Sequence, residues 1–184
     1  MKRLLLSLSL GSLLLMGAGC GENKTLSSIT HKPDPTNGHL IKSASLTTVY
    51  YLGPDGKRYV FPTDKTYLSW FETFSYVKTV PDETLVTAPL GGNVTYRPTS
   101  RLLKIETDPK VYAVAHGGVL RWISNETIAI ELYGKNWKKE VHDLPDAFFT
   151  NYTVGNPIIN ASDFSRASEE EASTSIDQDK GLKP

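Results

Sequence analysis

Apolar residues along the chain fall into four regimes, and each predicts a different kind of structure. Residues 4–16 form one nearly continuous apolar run. Residues 21–38 are polar and rich in breakers (Gly21, Pro33, Pro35, Gly38) with no apolar period, which reads as a tether. Residues 39–160 carry the patterned hydrophobicity of a folded unit. Residues 161–184 are again polar, with Glu169, Glu170 and Glu171 in a row and several serines, and are expected to form a disordered acidic tail.

Within 39–160 the pattern alternates between strand and helix periods. Runs rich in β-branched and aromatic residues predict strands at 48–52, 57–61, 110–114 and 119–123. The first pair is separated by Gly53-Pro54-Asp55-Gly56 and the second by Ala115-His116-Gly117-Gly118. Proline presets one turn dihedral and glycine accepts a positive φ, so both connections read as tight hairpin turns. A helix follows each hairpin. Thr63 or Asp64 caps the first, with Tyr67 and Phe71 four apart on one face. Ser124 or Asn125 caps the second, with Ile128 and Leu132 at the same spacing and Gly134 as its end. Pro81 and Pro145 each open a shorter helical turn. Val94-Thr95-Tyr96 and Ile158-Ile159 read as closing strands.

The parallel is carried by identities as well as by pattern. Leu40-Ile41-Lys42 recurs as Leu102-Leu103-Lys104, Val49-Tyr50 as Val111-Tyr112 and Gly56 as Gly118, all at one offset without a gap. Pro81-Asp82 then recurs as Pro145-Asp146 and Gly91 as Gly155, after a two-residue shift that fits an insertion near Gly134-Lys135-Asn136. Ordered matches of this kind indicate an internal duplication. The expected fold is α+β: two tandem copies of a β-hairpin–helix–short helix–strand unit, 39–100 and 101–160, packed into one small domain with the apolar face of each copy on the other.

The amino terminus reads as an export signal. Lys2 and Arg3 precede the apolar run, which is too short to span a bilayer and has the length of a signal-peptide core. Gly17, Ala18 and Gly19 follow, and then Cys20, the single cysteine of the chain. Ala18-Gly19-Cys20 resembles the processing site of bacterial lipoproteins, although Gly17 stands where that pattern has an aliphatic residue. The resemblance implies cleavage after residue 19 and lipidation of Cys20, leaving 20–38 as a lipid-bearing tether and the membrane as a partner; ordinary cleavage with a free thiol is the alternative.

Composition removes several function classes. The formal net charge is zero, with 20 basic and 20 acidic residues well mixed, so no nucleic-acid footprint is expected. The four histidines, His31, His39, His116 and His142, have neither metal spacing nor a nucleophile motif beside them, so no metal, cofactor or catalytic residue is expected and the chain is read as a non-enzyme. Asp177-Gln178-Asp179 resembles the opening of a calcium loop but is expected to belong to the tail.

The recognition candidates are aromatic and basic. Trp122 aligns with Val60 and is expected inside. Tyr50 and Tyr112 are equivalent, and with Val49 and Val111 facing a core they are expected to face outward as a symmetric ligand-binding pair. Lys57 and Arg58 follow the first turn and have no basic counterpart at Val119 and Leu120, which makes them candidates for anionic polymers.

Three stretches also carry a family likeness: residues 49–62 (VYYLGPDGKRYVFP), 90–98 (LGGNVTYRP) and 108–114 (DPKVYAV). Together they resemble a repeat domain of secreted and surface proteins from candidate-phyla bacteria, the Parcubacteria-like lineages. The resemblance runs from about Leu40 to Gly155. It implies a surface protein and brings no catalytic residues with it. The combined expectation is a cell-surface lipoprotein module that binds an envelope or extracellular polymer. The alternatives are a structural component assembling with other surface proteins and, last, a wall hydrolase.

Overall fold

The computed structural model describes residues 39–184. The readings of 1–19, Cys20 and the tether lie outside the described residues. Two five-stranded mixed sheets organise what is described.

The first sheet contains β1 (His39–Ser43), β2 (Val49–Leu52), β3 (Arg58–Val60), β4 (Lys78–Val80) and β5 (Leu90–Asn93) in the order β4-β1-β2-β3-β5. The second contains β6 (Leu102–Ile105), β7 (Val111–Ala115), β8 (Val119–Trp122), β9 (Val141–Leu144) and β10 (Thr153–Val154) in the order β9-β6-β7-β8-β10. The two orders are the same, strand for strand. So are the senses: β1–β2 and β2–β3 are antiparallel, as are β6–β7 and β7–β8, while the outer pairs β1–β4, β3–β5, β6–β9 and β8–β10 are parallel. Registers agree as well, since Tyr50 pairs with Val60 and Tyr112 with Trp122.

Helix starts follow the local chemistry. The Thr63 hydroxyl caps α1 (Asp64–Trp70) by accepting from the Thr66 N–H, and Asn125 caps α3 (Glu126–Tyr133) by accepting from the Ile128 N–H. Gly134 ends α3 at φ 81°, a left-handed value that a side chain would strain. Pro81 and Pro145 sit one residue outside α2 (Asp82–Thr87) and α4 (Asp146–Phe149), at the cap position instead of inside the first turn. The Asp82 carboxylate in the first turn of α2 accepts from the Ser43 and Ser45 hydroxyls, and these bonds hold its pKa below the usual range.

The closing strands differ from expectation. They are β5 and β10, which precede Val94-Thr95-Tyr96 and Ile158-Ile159. Val94 and Ile158 instead continue the contact with isolated bonds: the Val94 N–H donates to Val60 O at 2.8 Å, and Ile158, bridged to Ile123, donates its N–H to Trp122 O at 2.8 Å and accepts from the Ser124 N–H at 3.1 Å.

The core is not one apolar face laid on another. Leu40, Tyr51, Tyr59 and Phe61 pack with Tyr67 and Trp70 of α1. Leu102, Ala113 and Ala115 pack with Ile128 and Ala129 of α3 in the equivalent arrangement. A third cluster fills the opposite face of the second sheet: Leu103, Tyr112, Val114 and Leu120 meet Tyr96, Leu144, Phe148, Phe149 and Tyr152. Each copy thus supplies its own covering helix. The copies join through the connecting segment, where Trp70 Nε1 donates to Thr95 O at 2.8 Å and the Arg97 N–H to Ser69 Oγ at 3.0 Å.

Residues 161–184 depart most from expectation: they are ordered and packed. Ser165 caps α5 (Arg166–Glu171), Ser175 caps α6 (Ile176–Lys180), and Gly181 ends α6 in the left-handed region at φ 63°. Phe164 enters the second sheet's cluster, while Ile176 and Leu182 enter the first's. The acidic residues make specific bonds. Tyr51 Oη donates to Asp177 at 2.7 Å, the Thr99 hydroxyl to Glu170 at 2.6 Å and the His116 N–H to Glu169 at 2.7 Å. The segment is a strap across both copies, not a tail.

Candidate functional site

A cleft of about 510 Å³ opens where the first copy meets α4 of the second. Its lining takes Thr47 and Thr48 from the loop between β1 and β2, Phe61, Thr63 and Asp64 from the turn from β3 into α1, and Phe74, Asn93 and Phe148 from three further segments. The volume is within the range of ligand sites, roughly 300–1,000 Å³.

Local structure fixes these groups. Phe74 lies on a 3-10 turn capped by Thr73, and its ring stacks on Tyr67 with centroids 4.2 Å apart and an interplanar angle of 11°. Tyr67 is buried and donates its hydroxyl to Thr73 O at 2.8 Å; burial, with the nearby Tyr76, pushes its pKa up to about 12, so it acts only as a neutral support. Phe74 itself remains 45% exposed, a flat ring held rigidly from behind. Asn93 donates its amide to Asn151 at 2.8 Å, tying the cleft wall to the second copy. Behind it, Lys180 Nζ donates to Asn93 O at 2.9 Å, so the strap braces the same wall. The Thr47 and Thr48 hydroxyls have no hydrogen-bond partner among the described residues. Asp64 is the one charged side chain of the lining.

The residues singled out from the sequence lie elsewhere. Tyr112 is 4% exposed, inside the third cluster, and donates its hydroxyl to Asp108 at 3.1 Å. It is a core residue, because the outer face of the second sheet is covered by α4 and Tyr96 instead of facing solvent. Tyr50 is half-buried beneath the Arg58 guanidinium, 5.5 Å from its ring centroid. The two tyrosines therefore form no exposed pair, and neither lines the cleft. Arg58 is structural: Nη1 donates to the carbonyls of Leu85 and Ala88 at the end of α2. Lys57 is exposed and lies 3.6 Å from Asp55 of its own turn. Trp122, expected inside, is only half-buried: it packs against the third cluster with the Lys110 ammonium 5.6 Å from its ring centroid.

One further cluster carries titratable groups. Asp179 is 3% exposed and accepts from the Gly117 N–H at 2.9 Å and the Ser173 hydroxyl at 3.0 Å. His116 Nδ1 lies 2.9 Å from Ser173 Oγ and 3.6 Å from the Asp179 carboxylate. Serine and aspartate thus meet the same imidazole nitrogen, and Ser173 is fully buried. A nucleophile needs its base on one imidazole nitrogen and the orienting acid on the other, with access for substrate. This cluster instead fastens the strap to the β7–β8 turn. Burial holds the Asp179 carboxyl above the usual range, against the bonds it accepts.

Among the described residues no group of three His, Cys, Asp or Glu is placed to hold a metal ion, and no helix is long and apolar enough to cross a membrane. Comparisons with protein-family models, curated proteins and solved structures find no match to the chain.

The cleft was not foreseen from sequence. Its lining comes from six separate segments, and Phe148 stands where the other copy has Thr84.

Proposed function

We propose that this protein is a non-catalytic surface module, lipid-anchored at the cell envelope through Cys20, that holds a polysaccharide chain in the cleft between its two copies. The observation that carries the reading is the lining itself. A half-exposed aromatic ring, stacked from behind on Tyr67, shares the lining with threonine hydroxyls and an asparagine amide, with little charge. A pyranose offers the complementary surface, an apolar face for the ring and a rim of hydroxyls for the polar groups. The two phenylalanines on different copies make the cleft a property of the whole domain. The resemblance to secreted and surface repeat domains agrees with this reading, and the weak binding expected of one cleft fits an anchored protein that acts in many copies. A hydrolase is disfavoured because Asp64 has no second carboxylate among the lining residues.

The test is binding of the full chain to a panel of insoluble polysaccharides and isolated envelope material, with intrinsic tryptophan fluorescence as a second readout. Saturable binding that Phe74→Ala reduces at least tenfold is the expected result. Absence of binding to every polymer, or binding indifferent to Phe74→Ala, overturns the proposal. The second reading, assembly with other surface proteins, is favoured by one feature: Val86 and Leu90, on α2 and the edge strand β5, are 68% and 60% exposed.

A further inference from the structure

The two copies treat the cleft position in opposite ways, and the difference points to the chemistry of the ligand. At the offset that relates β2–β3 to β7–β8, Thr48 corresponds to Lys110, Val60 to Trp122 and Asp64 to Glu126. In the second copy all three positions are satisfied internally. Trp122 supplies bulk where the first copy has Val60. The Lys110 ammonium lies 5.6 Å above that indole ring. The Glu126 carboxylate has the Lys138 ammonium at 2.9 Å, which holds its pKa below the usual carboxylate range. The second copy thus has an ammonium group of its own at these positions, one over an aromatic face and one on a carboxylate.

The first copy keeps the aromatic and the anionic components and lacks the cations. Phe61, Phe74 and Asp64 line the recess, and Phe74 is half-exposed. No lysine, arginine or histidine lies within ion-pair distance of Asp64 among the described residues. Among the described residues its one hydrogen bond is accepted by Oδ1 from the Lys65 N–H, at 2.7 Å. The other oxygen and the ring face are left for what enters the cleft. Carboxylate and aromatic face both favour a cation and disfavour an anion.

We propose that the cleft selects glycans carrying free amino groups, with a 2-amino-2-deoxy sugar placed so that its ring lies on Phe74 and its ammonium meets Asp64. This inference rests on the polysaccharide-binding reading and sharpens it. It also reverses the expectation attached to Lys57 and Arg58, since uronic acids and phosphate-bearing polymers bring like charge to Asp64.

The experiment compares two oligosaccharides of the same β-1,4 backbone, glucosamine hexamer and its fully N-acetylated counterpart, by calorimetric titration against the full chain at pH 5.5. The glucosamine hexamer is expected to bind at least fivefold more tightly, a ratio within what one partly solvated ion pair supplies. Asp64→Asn is expected to bring the two affinities together, and Val60→Trp, which puts the second unit's indole into the lining, to abolish both. Binding of the acetylated oligomer that equals or exceeds that of the free amine overturns the amino-sugar assignment while leaving the polysaccharide reading intact. Failure of both oligomers, and of every polymer in the panel, overturns the parent reading. Tighter binding of a lysine-containing peptide than of either oligomer overturns the glycan assignment and makes the cleft a site for basic peptides. Thermal unfolding of each variant distinguishes a lost site from a lost fold.

Discussion

Ile176 offers a sharp test of the strap, because almost nothing around it in the sequence is apolar. It is 2% exposed and packs in the cluster formed by Leu40, Tyr51, Tyr59, Phe61, Tyr67 and Trp70. Truncation to alanine removes three carbons from a site walled by sheet strands on one side and α1 on the other. These walls are themselves fixed by backbone pairing and by the Trp70–Thr95 bond, so they cannot collapse into the space. Ile→Ala at such a site costs about 2–5 kcal/mol, the lost transfer energy plus the residual cavity. For a domain of this size each kcal/mol moves Tm by about 2–4 °C, so Ile176→Ala should lower Tm by roughly 5–15 °C. Ile176→Val should cost about 1 kcal/mol. The control is Ile159→Ala, at a residue 62% exposed, expected to stay within about 0.5 kcal/mol of the parent. Thermal and urea unfolding followed by circular dichroism measures all three. If Ile176→Ala behaves like Ile159→Ala, residues 161–184 contribute no packing and the strap does not belong to the fold.

Two further outcomes follow from the same structure. Burial raises the Asp179 carboxyl above its unfolded value, so its contribution to stability is fully present below about pH 3.8 and is lost as pH rises through the folded pKa; Asp179→Asn should therefore gain stability relative to the parent between pH 4 and 7, measured by urea unfolding at each pH, and a constant difference would show that this carboxyl does not titrate on folding. Arg58→Ala removes the donor to Leu85 O and Ala88 O and should cost about 1–3 kcal/mol in thermal unfolding with glycan affinity unchanged, whereas Arg58→Lys should recover only part of the loss because its ammonium sits one bond short of the Nη1 position that makes both bonds.

Much of the fold was legible because it is written locally. Thr63 and Asn125 announce their helices by the bonds that such side chains make to free N–H groups, and the two turns announce themselves by glycine and proline. The parallel edge strands β4 and β9 were not legible. Lys78–Val80 and Val141–Leu144 are short, and what makes them strands is the presence of β1 and β6 beside them, a tertiary fact. The strap was misread for a related reason. Composition argues against order when apolar residues are few, yet Phe164, Ile176 and Leu182 are each inserted into an existing core, and the glutamates are used as acceptors for Thr99 and His116. Thr99 adds a case without a sequence signal: a β-branched residue at φ 61°, buried, with its N–H on Val114 O at 3.0 Å and its hydroxyl on Glu170.

Tyr50 and Tyr112 show why equivalence in a duplicated sequence does not carry over to equivalence of surface. The alternation argument correctly places each tyrosine opposite its valine. It fails at the next step, because an opposite face is open only if nothing covers it. In the second copy α4 brings Phe148 and Phe149 over that face, and Tyr96 and Tyr152 complete the cover. In the first copy α2 lies against β1 and is anchored by Arg58 instead of by aromatic bulk. The same asymmetry creates the cleft. Phe148, which in the second copy's own terms is a covering residue, reaches the lining of the first copy's recess, where Val60 in place of tryptophan leaves room. The copies have diverged at these positions: one sets lysines of its own against its indole and its carboxylate, and the other has Asp64 without a cation partner among the described residues. The strap places Ile176 and Leu182 in one copy's core and Phe164 in the other's, so it ties the copy that supplies Phe74 and Asp64 to the copy that supplies Phe148. A site assembled this way needs both copies and the strap, and a single copy in isolation has only half of it.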